Sequence, residues 1–396
     1  MQDEPFGSAH LMEHVVANNG GTIPGPARPS GINAIEGNAL TRPYYTSFVS
    51  VVPPALLAST IHSRMARMGR TRNDSSVFSE QVQRVVAELE RDMSGRYPAY
   101  KSVVAVSRGA SPRIADELEF VRNTNKEQLA AAIAPIFLPV NAVMVITGDL
   151  DLDSTRAIVH ESEARLRLNE LASRVSPGPK SPPAFRMGES AIVPNQNRTT
   201  QTIVGIAWQK PPLGDGDQLP LMIADEILLG RSGPVNDPGR SDSTALALRL
   251  ARSLGGSGFW DGRAGMWGAP DMVDIGPGIY AIVFKADRKL TPAEVRDSVT
   301  AALRDVRLNG MSDKQVDAAR DNLAAYYERW MFEPTYRVLS DHLMAYAATG
   351  RNPADVKNIP AEIRRVRPAS VRRALERYLI DAPSNVVILP PMPGQD

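Results

Sequence analysis

The chain has 396 residues, 43% of them hydrophobic, enough for about two to three domains, each with its own core. Its 45 basic residues against 44 acidic ones leave a net charge of +1, which gives no electrostatic case for nucleic acid or an anionic membrane as partner. It contains no cysteine, which excludes a thiolate metal site, a thiol nucleophile and a disulfide framework, and leaves the redox compartment open.

No uninterrupted apolar run is long enough for an integral membrane segment, and no basic-then-apolar signal peptide opens the sequence. The first predicted element is a helix with Ser8 as its N-cap, ended by Asn18-Asn19-Gly20-Gly21. It carries His10-Leu11-Met12-Glu13-His14. Four residues apart, His10 and His14 share one face of the helix, and two imidazoles so placed can ligate one metal ion, zinc being the usual guest. Glu13 lies beside that face, where its carboxylate can reach a water on the metal without being a ligand. The same five residues also describe a solvated helix face, and both readings stand at this point. A helix carrying such ligands needs a sheet behind it, and nothing ahead of it supplies the strands. The given start is therefore expected to be internal, or a leading segment to be lost.

A Pro/Gly-rich loop runs through Gly31, and 44–52 reads as a β-branched and aromatic strand closed by Pro53-Pro54. Residues 55–68 have helical spacing, with Leu57, Ile61 and Met65 turned inward. A further helix over 79–93 places Gln81 and Glu88 on one face, two turns apart, so that Glu88 could reach a metal. The alternative is that Glu88 and Glu90 are ordinary surface acids. A helix over 125–137 leads to a buried strand over 141–147, then a helix over 152–173.

Four prolines within 175–183 make a stiff, extended linker. The domain boundary is placed there, with units at 1–174 and 187–396 and the linker at 175–186. The second half reads as a strand over 199–208, helices over 217–229 and 243–254, a Gly-rich loop at 255–258 and a strand over 279–284. Thr291-Pro292-Ala293-Glu294 is a capping box with proline at the first helical position. A helix opening at Ser312, another over 368–379 and a strand over 385–389 complete the chain. Residues 137–146 and 379–388 share a helix end, a Pro, an Asn and an apolar run, which suggests two copies of one α+β unit. A generic helix-loop-strand junction would look the same.

With these residues in view, the chain resembles the pitrilysin/insulinase-like zinc peptidases, the inverzincins, whose motif is H-x-x-E-H. Gly7 to His14 resembles that family's metal helix, Asn38-Ala39-Leu40-Thr41 its N-A-x-T segment, and the region of Glu80 to Glu88 the helix bearing its third ligand. Arg67-Met68-Gly69 and Gly148-Asp149-Leu150-Asp151 extend the likeness across the first half. It is most similar to the bacterial and mitochondrial-processing type. The resemblance implies an α+β fold of two homologous α/β-sandwich units joined by the linker, the first of them truncated at its N-terminus. It implies one Zn²⁺ per chain held by His10, His14 and Glu88, with Glu90 as the fallback, and Glu13 as general base and then proton donor. A peptide substrate would add as a strand near Asn38 and Ala39. It further implies a homodimer, or a heterodimer with a homologous subunit, and favours a bacterial periplasmic or secreted location.

The sequence departs from the family in the second unit. The family's active halves often carry an Arg followed seven residues on by a Tyr, both binding the substrate carbonyl region. Arg249 aligns with the arginine, but position 256 is Gly, and Arg252 is followed seven later by Phe259. This departure supports a competing expectation, a non-catalytic or partner-dependent structural subunit. His62, His160 and His342 are isolated on helical segments, and Trp260 and Trp267 flank the Gly-rich loop. All five are read as packing or surface residues.

Overall fold

The computed structural model describes residues 7–18, 36–42, 45–67, 75–92, 97–134, 136–168, 185–194, 200–229, 246, 250, 265–267, 278–286, 288–331 and 338–391. The fold is α+β, and the chain divides into two compact units. The first takes residues 1–90 and 116–181, the second 91–115 and 182–396. Residues 91–115 therefore belong with the second unit, not with the first as a division at 1–174 would have it. The prolines of the expected linker at 175–183 lie outside the described residues.

Helices α1 (Ser8–Asn18), α2 (Leu57–Ala66), α3 (Ser75–Asp92), α4 (Tyr97–Ser107), α5 (Ile114–Asn123), α6 (Lys126–Ile133) and α7 (Leu152–Leu166) follow one another in the first half, with α4 inside the second unit. Strands β1 (Glu36–Thr41) and β2 (Thr46–Val51) pair antiparallel in the first unit. In α1, Leu11, Met12, Val15 and Val16 are buried, an i, i+4 stripe that makes the helix amphipathic. His10, Glu13 and His14 are left half-buried on the other side. Ser8 is not the N-cap: it is the first helical residue and is buried. Gly7, at φ +97°, precedes it, and its carbonyl accepts from the Leu11 N–H at 3.0 Å. At the other end Arg67 Nη1 donates to the carbonyls of Val16 (3.1 Å) and Ala17 (3.4 Å), a cation where the helix dipole favours one. Arg64 fastens α2 to β2, its Nη2 donating to Ser50 Oγ at 2.6 Å and to the Val49 carbonyl at 3.2 Å. Burial, and then the charge of Arg67, lower the pKa of Arg64 from its ordinary value.

One expected strand does not form. Residues 139–141 make a 3₁₀ turn, 142–147 carry no strand pairing, and Val143 and Met144 are 45% and 38% exposed. An apolar, β-branched run becomes a strand only beside another strand. The first unit's described strands, β1 and β2, pair with each other.

In the second unit, β3 (Ser190–Ile192), β4 (Thr202–Lys210), β5 (Gly265–Trp267), β6 (Gly278–Ala286) and β7 (Asn385–Leu389) form one sheet in the order β3-β7-β4-β6-β5. Its neighbours are antiparallel except β3 and β7, which run parallel. Both faces are covered, so β4 and β6 are buried nearly throughout. Ile203, Ala207, Ala281 and Val283 pack with Ala99 and Val103 of α4. Val204, Ile206, Trp208, Tyr280, Ile282 and Phe284 pack with the opposite helical layer. That layer is built from α8 (Gln218–Leu228), α9 (Pro292–Asn309), α10 (Asp313–Trp330), α11 (Val338–Ala348), α12 (Ile359–Arg364) and α13 (Pro368–Leu375). The capping box at Thr291 forms as expected, and Ser312 makes another with Gln315.

The two copies of the suspected repeat differ in structure. Asn385 is fully buried, its Nδ2 donating to Ser107 Oγ (2.9 Å) and the Arg186 carbonyl (2.7 Å), its Oδ1 accepting from the Glu189 N–H (2.8 Å). Its counterpart Asn141 is exposed and donates to the Ile136 carbonyl. No helix among the described residues is long and apolar enough to cross a membrane.

Candidate functional site

Two helices of the first unit, α3 and α5, bring carboxylates to α1. The apolar stripe of α1 sets the helix's rotation and leaves His10 and His14 with side chains 17% and 20% exposed. Their rings meet edge to face, centroids 5.0 Å apart. In α3, Gln81, Val85 and Leu89 are buried at successive turns and fix that helix in the same way, with Glu88 beside the stripe. Glu88 Oε2 lies 3.4 Å from His14 Nε2 and 3.9 Å from His10 Nε2. One ligand atom from each of the three residues lies within 4.8 Å of the others.

These distances suit a metal. Bonds of about 2.0–2.2 Å meeting at tetrahedral angles put donor atoms roughly 3.3–3.6 Å apart, and two histidines with one carboxylate are a donor set of catalytic zinc, which keeps a fourth position open. The three donors are therefore near the separations that an ion would need, and they fit the group. Glu90 points elsewhere and forms an ion pair with Arg122. The structure thus brings Glu88, not Glu90, to the histidines. Glu13 is half-buried on α1, immediately before His14.

Asn38 and Ala39 lie in β1, opposite Val49 and Phe48 of β2. Two residues on, Thr41 Oγ1 donates to the Ala9 carbonyl at 3.4 Å, which ties this strand to the turn of α1 just before His10. Arg249 lies outside the described residues, as do Arg252, Phe259 and Trp260. The remaining histidines stand apart from the cluster. His62 is half-buried on α2, His160 is exposed and 3.1 Å from Glu163, and His342 is buried edge-on to Tyr327.

One member of the site was missed from sequence. Glu117, on α5, is 1% exposed, and its Oε1 lies 3.9 Å from His10 Nδ1. The available signal was its position: it sits with Leu118 and Val121 on the stripe that α5 buries, where a carboxylate is unusual without a partner.

The family model of the peptidase M16 inactive domain matches residues 123–323, half of the chain, a stretch that begins after the His/Glu cluster. No curated protein matches the sequence. Among solved structures, the chain is similar to a protease from Helicobacter pylori, with a TM-score of 0.70 and 15% identity over 98% of this chain and 92% of that one. It is similar to Complex III2 from Candida albicans with Inz-5 bound, with a TM-score of 0.70 and 12% identity over 97% and 86%. The peptidase M16 inactive domain from Pseudomonas fluorescens aligns with a TM-score of 0.61 and 16% identity over 85% and 75%. At these identities the likeness is one of fold. The match over half the sequence and the fold likeness over nearly all of it agree with the resemblance carried by the residues around His10 and His14, and the chain belongs to the peptidase M16, or pitrilysin/insulinase-like, family.

Proposed function

We propose that the chain is a zinc-dependent metalloendopeptidase in which His10, His14 and Glu88 hold one Zn²⁺ and Glu13 is the general base. The observation that carries this reading is the convergence of donor atoms from α1 and α3 within 4.8 Å, with a carboxylate adjacent in sequence to one of the ligands. When bound, the ion would supply Lewis-acid polarisation of the scissile carbonyl and a lowered pKa for the attacking water. The Glu13 carboxylate takes the proton from that water as its oxygen bonds to the carbonyl carbon. It then delivers the proton to the amide nitrogen as the C–N bond breaks, so the immediate products are a carboxylic acid and a free amine, and the acid then gives its proton to solvent. The substrate peptide lies extended along the strand that contains Asn38 and Ala39, held mainly by backbone hydrogen bonds. Asn38 holds the substrate backbone. The second unit serves as substrate chamber and pairing surface for a second, homologous subunit, in a periplasmic or secreted setting.

A second reading has its own support. The matching family model is that of an inactive domain, and the Arg/Tyr spacing of active halves is absent at 249 and 256. On this reading the chain is a non-catalytic or partner-dependent subunit. One comparison separates the two: zinc content and peptide cleavage of the purified chain and of Glu13→Gln. The peptidase reading expects one zinc in both proteins and a cleavage rate about 10²–10⁴-fold lower in the variant. A zinc-loaded parent that cleaves no faster than Glu13→Gln, alone or with a homologous subunit added, supports the non-catalytic reading.

A further inference from the structure

We propose that Glu117 is a positioning residue that holds His10 in its Nδ1–H tautomer and so presents Nε2 to the zinc position. This rests on the reading of His10, His14 and Glu88 as ligands. The two nitrogens of the His10 ring face different carboxylates: Nε2 is 3.9 Å from Glu88 Oε2, and Nδ1 is 3.9 Å from Glu117 Oε1. Of the two acids, Glu88 is the one in the cluster of donor atoms. Glu117 is set on the far side of the ring and is buried, whereas Glu88 is 37% exposed. A buried carboxylate is stabilised by each hydrogen bond it accepts, and His10 Nδ1 is the ring nitrogen that faces it.

The chain makes room for this arrangement at one residue. A Cβ at Gly7 would stand 3.0 Å from Glu117 Cγ and 3.3 Å from Val121 Cγ2, and the backbone there has φ +97°. Glycine accepts both the conformation and the close approach, so α5 can lay Glu117 against the first turn of α1. The chemistry follows from the imidazole: it can ligate through Nε2 in its neutral form only when the proton is on Nδ1. A carboxylate that accepts that N–H fixes tautomer and ring orientation and makes the ligating nitrogen more basic.

The test uses the full chain, zinc as the probe and two readouts other than turnover. The first is the ¹⁵N NMR tautomer of His10 in the metal-free parent at alkaline pH, assigned with His10→Ala. The Nδ1–H form is expected, and the Nε2–H form overturns the proposal without any need for a Glu117 variant. The second is zinc affinity by competition with a chromophoric chelator. Glu117→Leu, which has no acceptor, is expected to bind zinc about 10–100-fold more weakly, still at one ion per chain, and to lose the tautomer preference, whereas Glu117→Gln, whose amide oxygen still accepts the N–H, is expected to keep the tautomer. Parent-like affinity and tautomer in Glu117→Leu overturn the proposal and leave the three ligands standing. A parent chain that binds no zinc removes the ligand reading itself, and this proposal with it.

Discussion

His14 Nε2 and Glu88 Oε2 lie 3.4 Å apart, on helices between which the described chain runs through β1, β2, a 3₁₀ turn and α2. Two half-buried side chains so remote in sequence meet because each helix is held by its own apolar stripe. The His14→Ala and Glu88→Ala variants are therefore each expected to lose zinc, measured by elemental analysis, from a parent holding one ion per chain. Glu90→Ala is expected to keep it, since that change breaks a pair with Arg122 whose partners are 40% and 51% exposed, worth about 0–1 kcal/mol of stability. Zinc retained in Glu88→Ala and lost in Glu90→Ala would reverse the assignment.

The second unit offers a test of packing. Gly205, in the middle of β4, lies under α4, and a Cβ there would be 2.9 Å from the Ala99 carbonyl oxygen and 3.3 Å from its carbon. Those are backbone atoms and cannot rotate away, so α4 would have to lift off the sheet. Gly205→Ala is expected to destabilise the chain by about 1–3 kcal/mol, read from denaturant unfolding. A change below about 0.5 kcal/mol, the size typical of surface substitutions, would show that α4 has slack against the sheet.

What was legible in the sequence was whatever local spacing decides. The stripe of Leu11 and Val15 in α1 and that of Val85 and Leu89 in α3 fix which side of each helix is buried, and so fix where His10, His14 and Glu88 project. The capping box at Thr291 is likewise a matter of four consecutive residues. What was not legible depends on partners far along the chain. Residues 141–147 have the composition of a buried strand, but a ladder needs a neighbour that local pattern does not reveal. Residues 385–389 have a similar composition and do form a strand, because β3 and β4 lie on either side. Glu117 sits on the stripe that α5 buries, but the group it meets there is set only when Gly7 and the first turn of α1 are packed against it.

The start of α9 gives a prediction in pH. The Glu294 carboxylate accepts from the Thr291 N–H and hydroxyl, both at 2.8 Å, and from Arg288 Nη1 at 3.0 Å. These bonds, the Thr291 backbone one foremost, hold its carboxyl from 4.5 down to about 2. The folded-state pKa is thus below the unfolded one, so the unfolded chain takes up the proton first as pH falls. The stabilisation is complete above about 4.5 and is lost as pH drops through about 2. Glu294→Gln keeps the capping geometry, since glutamine serves at that position, but has no proton to bind. The stability difference between parent and Glu294→Gln, from denaturant midpoints at a series of pH values, is therefore expected to change across that window and to stay constant above it. Because Glu294 is exposed, added salt is expected to flatten the change through screening. A difference that is the same at every pH would mean the carboxylate holds no more tightly to Thr291 in the folded chain than to water in the unfolded one.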